Sequence, residues 1–597
     1  MQKTALKGYC DIDKEEHPIL LQAQKSASGR FSLVINGTIH NYRKMAARLA
    51  CEGGITKNIT ANAVFLSTIE TYGVKIALSI SKGTFACAIY DSLHRTLYLA
   101  RDRVGEKSLY YGFIDKTFVF ASHLDDITAF DGFKGSINTD ILGLYFVHGY
   151  IPAPYSIYQG IFKLDAGMIL EIKTPFREHT TYSYWSMKDT ASYGQTHLFQ
   201  GSRREAADEL ERLLRETIRE QVPSDIQTGA FLSAGIDSTA ICALARQELS
   251  GEINSFTIGM PPPLHDEAIT AKKIAAHLGI NHTEHYIDIE DAKTIIPDLG
   301  GIYGEPFADA SQIPTVLLSR MMKKKFIGRN THVTHSPIAT ILCGDGGDEL
   351  FCGYDSYRYF ERVYKKLRRM PYSLRLPLSR LLCTEKLPFS EDNRLRGRLL
   401  AMNSVSEIYL NSLENFPLVR EISCDYMNVS NKYTEIDPLF FDEPNHQLML
   451  MNMLMYTSDD ILFKVDHAVS STSLATRTPL LDKDIIEFAW SLPIEYKRDD
   501  KEGKLVLRDV LYRYVPSEWM KQPKQGFGVP LEKWLKEPVL RDWAEQLISR
   551  DTLIRQGFLN PDIVHRIWDD FLTRDYFISQ IWSILMFQMF LEERKIS

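Results

Sequence analysis

Two short runs in the chain carry residue types that can handle a phosphate chain. The first is Gly229-Ala-Phe-Leu-Ser-Ala-Gly-Ile-Asp-Ser-Thr239. Its first half reads as a short buried strand, its middle as a tight turn, and its end as the start of a helix. A strand, a turn and a helix N-terminus make an anion site, because unpaired backbone N–H groups and the helix dipole both favour negative charge. Ser233 and Ser238 add hydroxyl donors. Asp237 is out of place beside a phosphate unless a divalent cation lies between them, which is how Mg²⁺ is usually held. The second run is Ile341-Leu-Cys-Gly-Asp-Gly-Gly-Asp-Glu-Leu-Phe-Cys-Gly-Tyr354. It leads from an apolar strand end into a glycine-rich loop with three acids, Asp345, Asp348 and Glu349. Carboxylates this dense repel one another unless a cation is bound.

These runs need a scaffold. Residues 205–345 alternate helix-like and strand-like patterns, which predicts a parallel sheet. Arg203–Glu220 reads as an amphipathic helix, Ile253–Gly259 as a strand, 271–278 as a helix and His282–Ile287 as a strand. In a doubly wound sheet the ligand sits at the carboxyl ends of the strands, so Ile258 and Gly259 fall where a nucleotide base could rest. Residues 1–200 read differently, with strands at Phe31–Ile35, Gly83–Tyr90, Thr96–Ala100 and Thr117–Ala121 and helical patterns at 41–50 and 62–73. Asn36-Gly37 signals a turn after the first of these. Together they predict a layered α/β sandwich. The polar stretch Thr190–Gln195 is the expected mobile connection.

Composition bounds the rest. A chain of 597 residues needs more than one domain. Its 44% hydrophobic and 24% charged residues are those of a globular protein. A net charge of −7 with no basic stripe argues against nucleic acid as a partner. Eight scattered cysteines with no C-x-x-C pair suggest buried reduced thiols and no structural zinc. No run of 18 apolar residues and no signal-peptide core occurs, so no membrane partner and a cytoplasmic location are expected. His332 and His335 read as solvated loop residues.

The Ser-Ala-Gly-x-Asp-Ser run resembles the pyrophosphate loop of ATP-pyrophosphatase enzymes, with Ala234 in place of a glycine. A methyl there threatens to crowd the phosphates. Val34-Ile-Asn-Gly-Thr-Ile-His-Asn-Tyr42 and Leu99–Tyr111 resemble the N-terminal-nucleophile (class II) glutamine amidotransferase domain of asparagine synthetases. Gly304-Glu-Pro-Phe-Ala-Asp309, Asp459-Asp-Ile-Leu-Phe-Lys-Val-Asp-His467, Ala475-Thr-Arg-Thr-Pro-Leu-Leu-Asp482 and Lys521-Gln-Pro-Lys-Gln-Gly-Phe527 are similar to further motifs of that family.

The resemblance implies a truncated glutaminase-like domain over 1–200 and an ATP-pyrophosphatase domain with a helical extension over 201–597. It implies ATP and Mg²⁺, a carboxylate substrate and ammonia or an amine, with a homodimer and a separate ammonia source as family expectations. It implies nucleotide contacts from Leu232, Ser233, Gly235, Asp237, Ser238, Ile258, Cys343 and Gly344, Mg²⁺ on Asp237 and Asp348, and catalysis by Asp345 and Lys524. It also implies a silent glutaminase. The chain begins Met-Gln-Lys with no N-terminal nucleophile, Ala61 stands where the family has the Asp that grips glutamine, and Cys10 is a poor substitute nucleophile. Asn36 and Gly37 keep the oxyanion-hole positions. His467 for Arg and Ala475 for Glu place the substrate's identity in question, since both are expected in the substrate half of the cleft. Asparagine synthesis, a substrate-amine ligase of the β-lactam synthetase or lasso-peptide cyclase kind, and a non-catalytic relative are the readings that remain.

Overall fold

The computed structural model describes residues 6–11, 18–52, 60–222, 226–260, 267–327, 339–384, 391–413, 419–422, 436–437, 439–521, 528–574 and 576–596.

The N-terminal region builds two antiparallel sheets from β1 (Lys7–Asp11), β2 (Ile19–Leu20), β3 (Gln24–Lys25), β4 (Phe31–Ile39), β5 (Gly83–Asp91), β6 (Thr96–Arg101), β7 (Tyr110–Ile114), β8 (Thr117–Ala121), β9 (Ile161–Lys163), β10 (Met168–Lys173) and β11 (His179–Ser183). One sheet runs β2-β1-β8-β7-β9 and the other β11-β10-β6-β5-β4-β3. Side chains alternate across each strand, so every strand serves two layers. Phe118 and Phe120 point between the sheets, against Val34, Ala88, Leu97, Leu99 and Leu170. Leu33, Phe85, Cys87 and Ile89 point the other way, onto helices Tyr42–Cys51, Ala61–Tyr72 and Val74–Ile80.

The turn expected at Asn36-Gly37 is absent. β4 continues through both residues to Ile39, with Gly37 opposite Phe85. Gly37 has φ +116°, and a Cβ there would lie 1.9 Å from the Thr84 carbonyl oxygen. Glycine thus lets the strands close up without ending the strand. Thr190–Gln195 is not a loose connection either. It lies in helix Met187–Thr196, capped by Ser186, and Gln195 Nε2 donates to the Trp490 carbonyl. Five of the seven described cysteines are buried, whereas Cys51 and Cys383 are exposed.

The C-terminal region holds β12 (Gln227–Phe231), β13 (Ile253–Gly259), β14 (Asn281–Tyr286), β15 (Ala339–Leu342) and β16 (Ala475–Arg477), all parallel, in the order β14-β13-β12-β15-β16. Strand order reverses at β12, which opens a crevice between β12 and β15 at their carboxyl ends. Both phosphate-handling runs leave the sheet there. Helices fill the rest, among them Pro444–Asn452 and Leu462–Ser470, joined without a break by a π-helical stretch, Met453–Ile461. His332 and His335 lie outside the described residues.

The outer face of the first sheet does not meet solvent. Tyr110, Ile114, Val119, Ala121 and Ile161 join one hydrophobic core with Tyr145, Phe146 and the C-terminal helix Ile578–Arg594.

Candidate active site

β12 ends at Phe231, and Leu232, buried, donates its N–H to the Phe256 carbonyl across the sheet. The turn that follows is held by its own serines. Ser233 Oγ and Ser238 Oγ are 2.9 Å apart, and Gly235 N–H donates to Ser233 Oγ at 3.1 Å. Helix Ile236–Glu248 starts at Gly235 with no side chain capping its first turn, so those amides are available to an anion. Ala234 is not among the residues with positive φ, so the backbone needs no glycine there.

The second loop packs flush on this helix start because two of its residues lack side chains. A Cβ on Gly344 would lie 2.6 Å from Ser238 N, and one on Gly347 2.3 Å from Asp237 Oδ1. Gly346, at φ +97°, turns the chain into the short helix Gly347–Leu350. Asp348 is thereby brought to Asp237, and Lys504 lies between them. Lys504 Nζ is 2.5 Å from Asp237 Oδ2 and 2.7 Å from Asp348 Oδ1. All three side chains are buried or nearly so. Gly353 clears the way for the lysine, since a Cβ there would meet Lys504 Cε at 2.0 Å.

Lys504 was not legible as a site residue. It sits far along the chain, in left-handed conformation at φ 60°, just before helix Leu505–Leu511. A lysine after a glycine is the only signal, and it is a weak one. Two convergent carboxylates with hard oxygens fit Mg²⁺, which is commonly held by one or two carboxylates and completed by substrate phosphates. Among the described residues no group of three or more His, Cys, Asp or Glu forms a self-sufficient metal cage.

Around the crevice, Ile258 and Gly259 end β13, with the Tyr286 ring against Gly259. Cys343 N–H donates to the Arg477 carbonyl at 2.9 Å, while its thiol, pushed up by burial, turns inward to the Ile341 carbonyl. Gly344 follows at the mouth. On the far side the π-helical stretch re-aims its residues, a common habit of π-segments at functional sites. Asp460 is pushed well above the usual carboxylate range by burial and then by neighbouring Asp309. Lys464 pairs with Asp309 and also feels Asp460 and Asp345. Burial would raise Asp309, but Lys464 and Ser311 hold it low. Glu349 accepts a hydrogen bond from Tyr354 at 2.6 Å. The crevice is therefore acidic, with Lys464 and Lys504 set among the carboxylates.

Two expected residues fall elsewhere, and a third is not described. His467 is buried among Tyr303, Phe463 and His123, with Nδ1 against the Phe463 carbonyl, so it is a packing residue at the domain seam. Ala475 starts β16 opposite Thr340, at the amino end of the sheet, away from the cradle. Lys524 lies outside the described residues.

A parallel sheet with an anion cradle at its switch point, flanked by paired carboxylates, defines an ATP-pyrophosphatase-like enzyme. Residues 209–592 match the asparagine synthase family, and residues 13–185 match the glutamine amidotransferase domain. Asparagine synthetase [glutamine-hydrolyzing] 1 of Bacillus subtilis is 26% identical over 93% of this chain and 84% of its own length. Putative asparagine synthetase [glutamine-hydrolyzing] 2 of Methanocaldococcus jannaschii is 30% identical over 68% of this chain and 70% of its own. A solved B. subtilis glutamine phosphoribosylpyrophosphate amidotransferase is 11% identical over 48% of this chain and 85% of that one, with a TM-score of 0.24, too slight a likeness to bear on the fold. The chain belongs to the asparagine synthase family, and it is an ATP-dependent amide-forming ligase.

Proposed function

We propose that the protein adenylates an aspartate-like carboxylate and transfers ammonia to it, releasing AMP and pyrophosphate. The observation that carries this reading is the convergence of Asp237, Asp348 and Lys504 beside the uncapped first turn of helix Ile236–Glu248. A substrate carboxylate oxygen attacks the α-phosphorus of ATP, and the bond to the β-phosphate oxygen breaks. Ser233, Gly235 and Ser238 hold the departing pyrophosphate, and Lys504 with Lys524 offsets the charge that develops on it. Leu232, Ile258, Cys343 and Gly344 border the base. Asp237 and Asp348 would hold Mg²⁺, which supplies charge neutralisation of the phosphates. Ammonia then attacks the activated carbonyl, Asp345 accepts a proton from the nitrogen, and AMP leaves.

The N-terminal residues favour a silent glutaminase. Ala61 opens helix Ala61–Tyr72 with no group to hold an amine. Cys10 sits inside β1, opposite Phe118, buried and with its thiol pushed up by that burial. Ammonia would then come from solvent or a separate source. The acidic crevice gives weight to a second reading, in which the nucleophile is a substrate amine, as in β-lactam synthetase-like or lasso-peptide-forming ligases. The test is AMP and pyrophosphate release from purified protein with MgATP, aspartate and ammonium, then with glutamine replacing ammonium. Release with ammonium alone supports the proposal. Release with glutamine would overturn the silent glutaminase, and no release with either would leave the substrate-amine ligase or a non-catalytic relative.

A further inference from the structure

One helix of the C-terminal region is folded inside out. Tyr372–Leu382 buries Arg375 and Ser379, at 3% and 5% exposure, and leaves Leu374, Leu378 and Leu381 at 62%, 38% and 51%. The three leucines fall at i, i+4 and i+7, so they form one stripe along the helix. Ordinary amphipathic packing would place that stripe against the protein.

The inward face is fixed by polar contacts. Arg375 Nη1 donates to the Leu400 and Met402 carbonyls, and its Nε to Met370. These staple the helix to its neighbour Glu391–Ala401. Gly397 lets the pair approach closely, since a Cβ there would lie 2.7 Å from Cys383 Sγ. The neighbour adds Leu395, 50% exposed, and the entry to the first helix adds Met370 and Tyr372, each 40% exposed. An apolar ridge of this extent on a soluble surface marks an interaction site.

Charge says what the ridge meets. Residues 355–400 contain twelve Lys and Arg against five Asp and Glu, a net +7, within a chain whose net charge is −7. The rest of the molecule therefore sums to −14 and opposes the sign of this segment. Arg362, Lys366, Arg369, Arg380, Arg396 and Arg398 are all exposed and enter no ion pair among the described residues. The leucines lie exposed on the face opposite buried Arg375 and Ser379. An exposed apolar stripe in a segment this rich in unpaired cations is the pattern of a helix that lies in a lipid interface, apolar face down, with its cations on anionic headgroups. Among the described residues no helix is long and apolar enough to cross a membrane.

We propose that this helical hairpin docks the enzyme peripherally on an anionic lipid surface. None of its residues is among those that form the crevice, so docking and ligase chemistry are separable.

The test is co-sedimentation of the full chain with vesicles of mixed phosphatidylglycerol and phosphatidylcholine, and of phosphatidylcholine alone. The expected result is binding to the anionic vesicles, ~tenfold or more weaker on phosphatidylcholine and at high salt. The triple variant Leu374→Ser, Leu378→Ser, Leu381→Ser should lose binding ~tenfold or more while keeping its far-UV circular dichroism and AMP release. The set Arg362→Gln, Lys366→Gln, Arg369→Gln should weaken it separately. No binding to either vesicle, or equal binding to both, overturns the proposal. So does binding that survives the leucine triple, because adsorption would then be charge alone. Self-association removed by the triple would assign the ridge to a second copy. Polyglutamate capture with the same leucine dependence would assign it to an acidic protein. Either result overturns the lipid surface.

Discussion

The two ends of the molecule keep their inherited frames to different degrees. In the C-terminal crevice, backbone and side chains agree. Glycines at 344, 347 and 353 remove the atoms that would hold the loops apart, and Asp237, Asp348 and Lys504 occupy the space so opened. In the N-terminal sandwich the backbone frame around Asn36 and Gly37 is closely packed, but Ala61 carries no polar group and the Cys10 thiol is buried within β1. Backbone closeness is enforced by packing throughout a domain, whereas a reactive side chain is held by its function alone.

The sharpest way to break that comparison is Asp237→Ala. It should lower AMP and pyrophosphate release about thousandfold or more, because it removes half of the carboxylate pair and leaves Lys504 and Asp348 without their partner. An effect under tenfold would show that the cradle is no more active than the sandwich. Next, Lys163→Met strips the buried partner of Glu305, a pair that crosses from β9 to the C-terminal region with exposures of 7% and 2%. Burial already holds the Glu305 carboxyl above its usual range, and the loss should cost about 3–5 kcal/mol in denaturant unfolding.

A subtler effect lies at the seam. Glu106 bonds Thr84 on its own side and Thr478 across it, and burial followed by the nearby Asp102 raises its pKa to about 8. A carboxyl raised on folding binds its proton more tightly in the native state. Its contribution is whole below about 4.5 and is lost as the pH climbs through about 8. Stability should fall across that window by on the order of 5 kcal/mol, and Glu106→Gln should flatten the slope in pH-dependent melts. Smallest of all is Ala61→Asp. Restoring that carboxylate alone should change glutamine-dependent AMP release less than about twofold, since a glutaminase acts as a set of groups. A large gain would mean that a nucleophile is already in place.

Both phosphate-handling runs and the parallel sheet were legible because each is local, a strand end, a turn and a helix start within a dozen residues. Alternating strands gave the sandwich for the same reason. Lys504 was not legible, because it reaches Asp237 from 267 positions away through a left-handed residue no local pattern announces. His467 was misplaced because motif alignment gives chain position and not the aromatic neighbours that swallow it. The inverted helix at 372–382 was equally hidden, since its leucine spacing reads as an ordinary core stripe until Arg375 is seen inside.

The shared core has a consequence for inheritance. The back of the first sheet is a wall of the same hydrophobic interior that Ile578–Arg594 completes. Deleting the sandwich would uncover the C-terminal helix to water. A lineage can therefore discard the sandwich's chemistry residue by residue, but it cannot discard the sandwich.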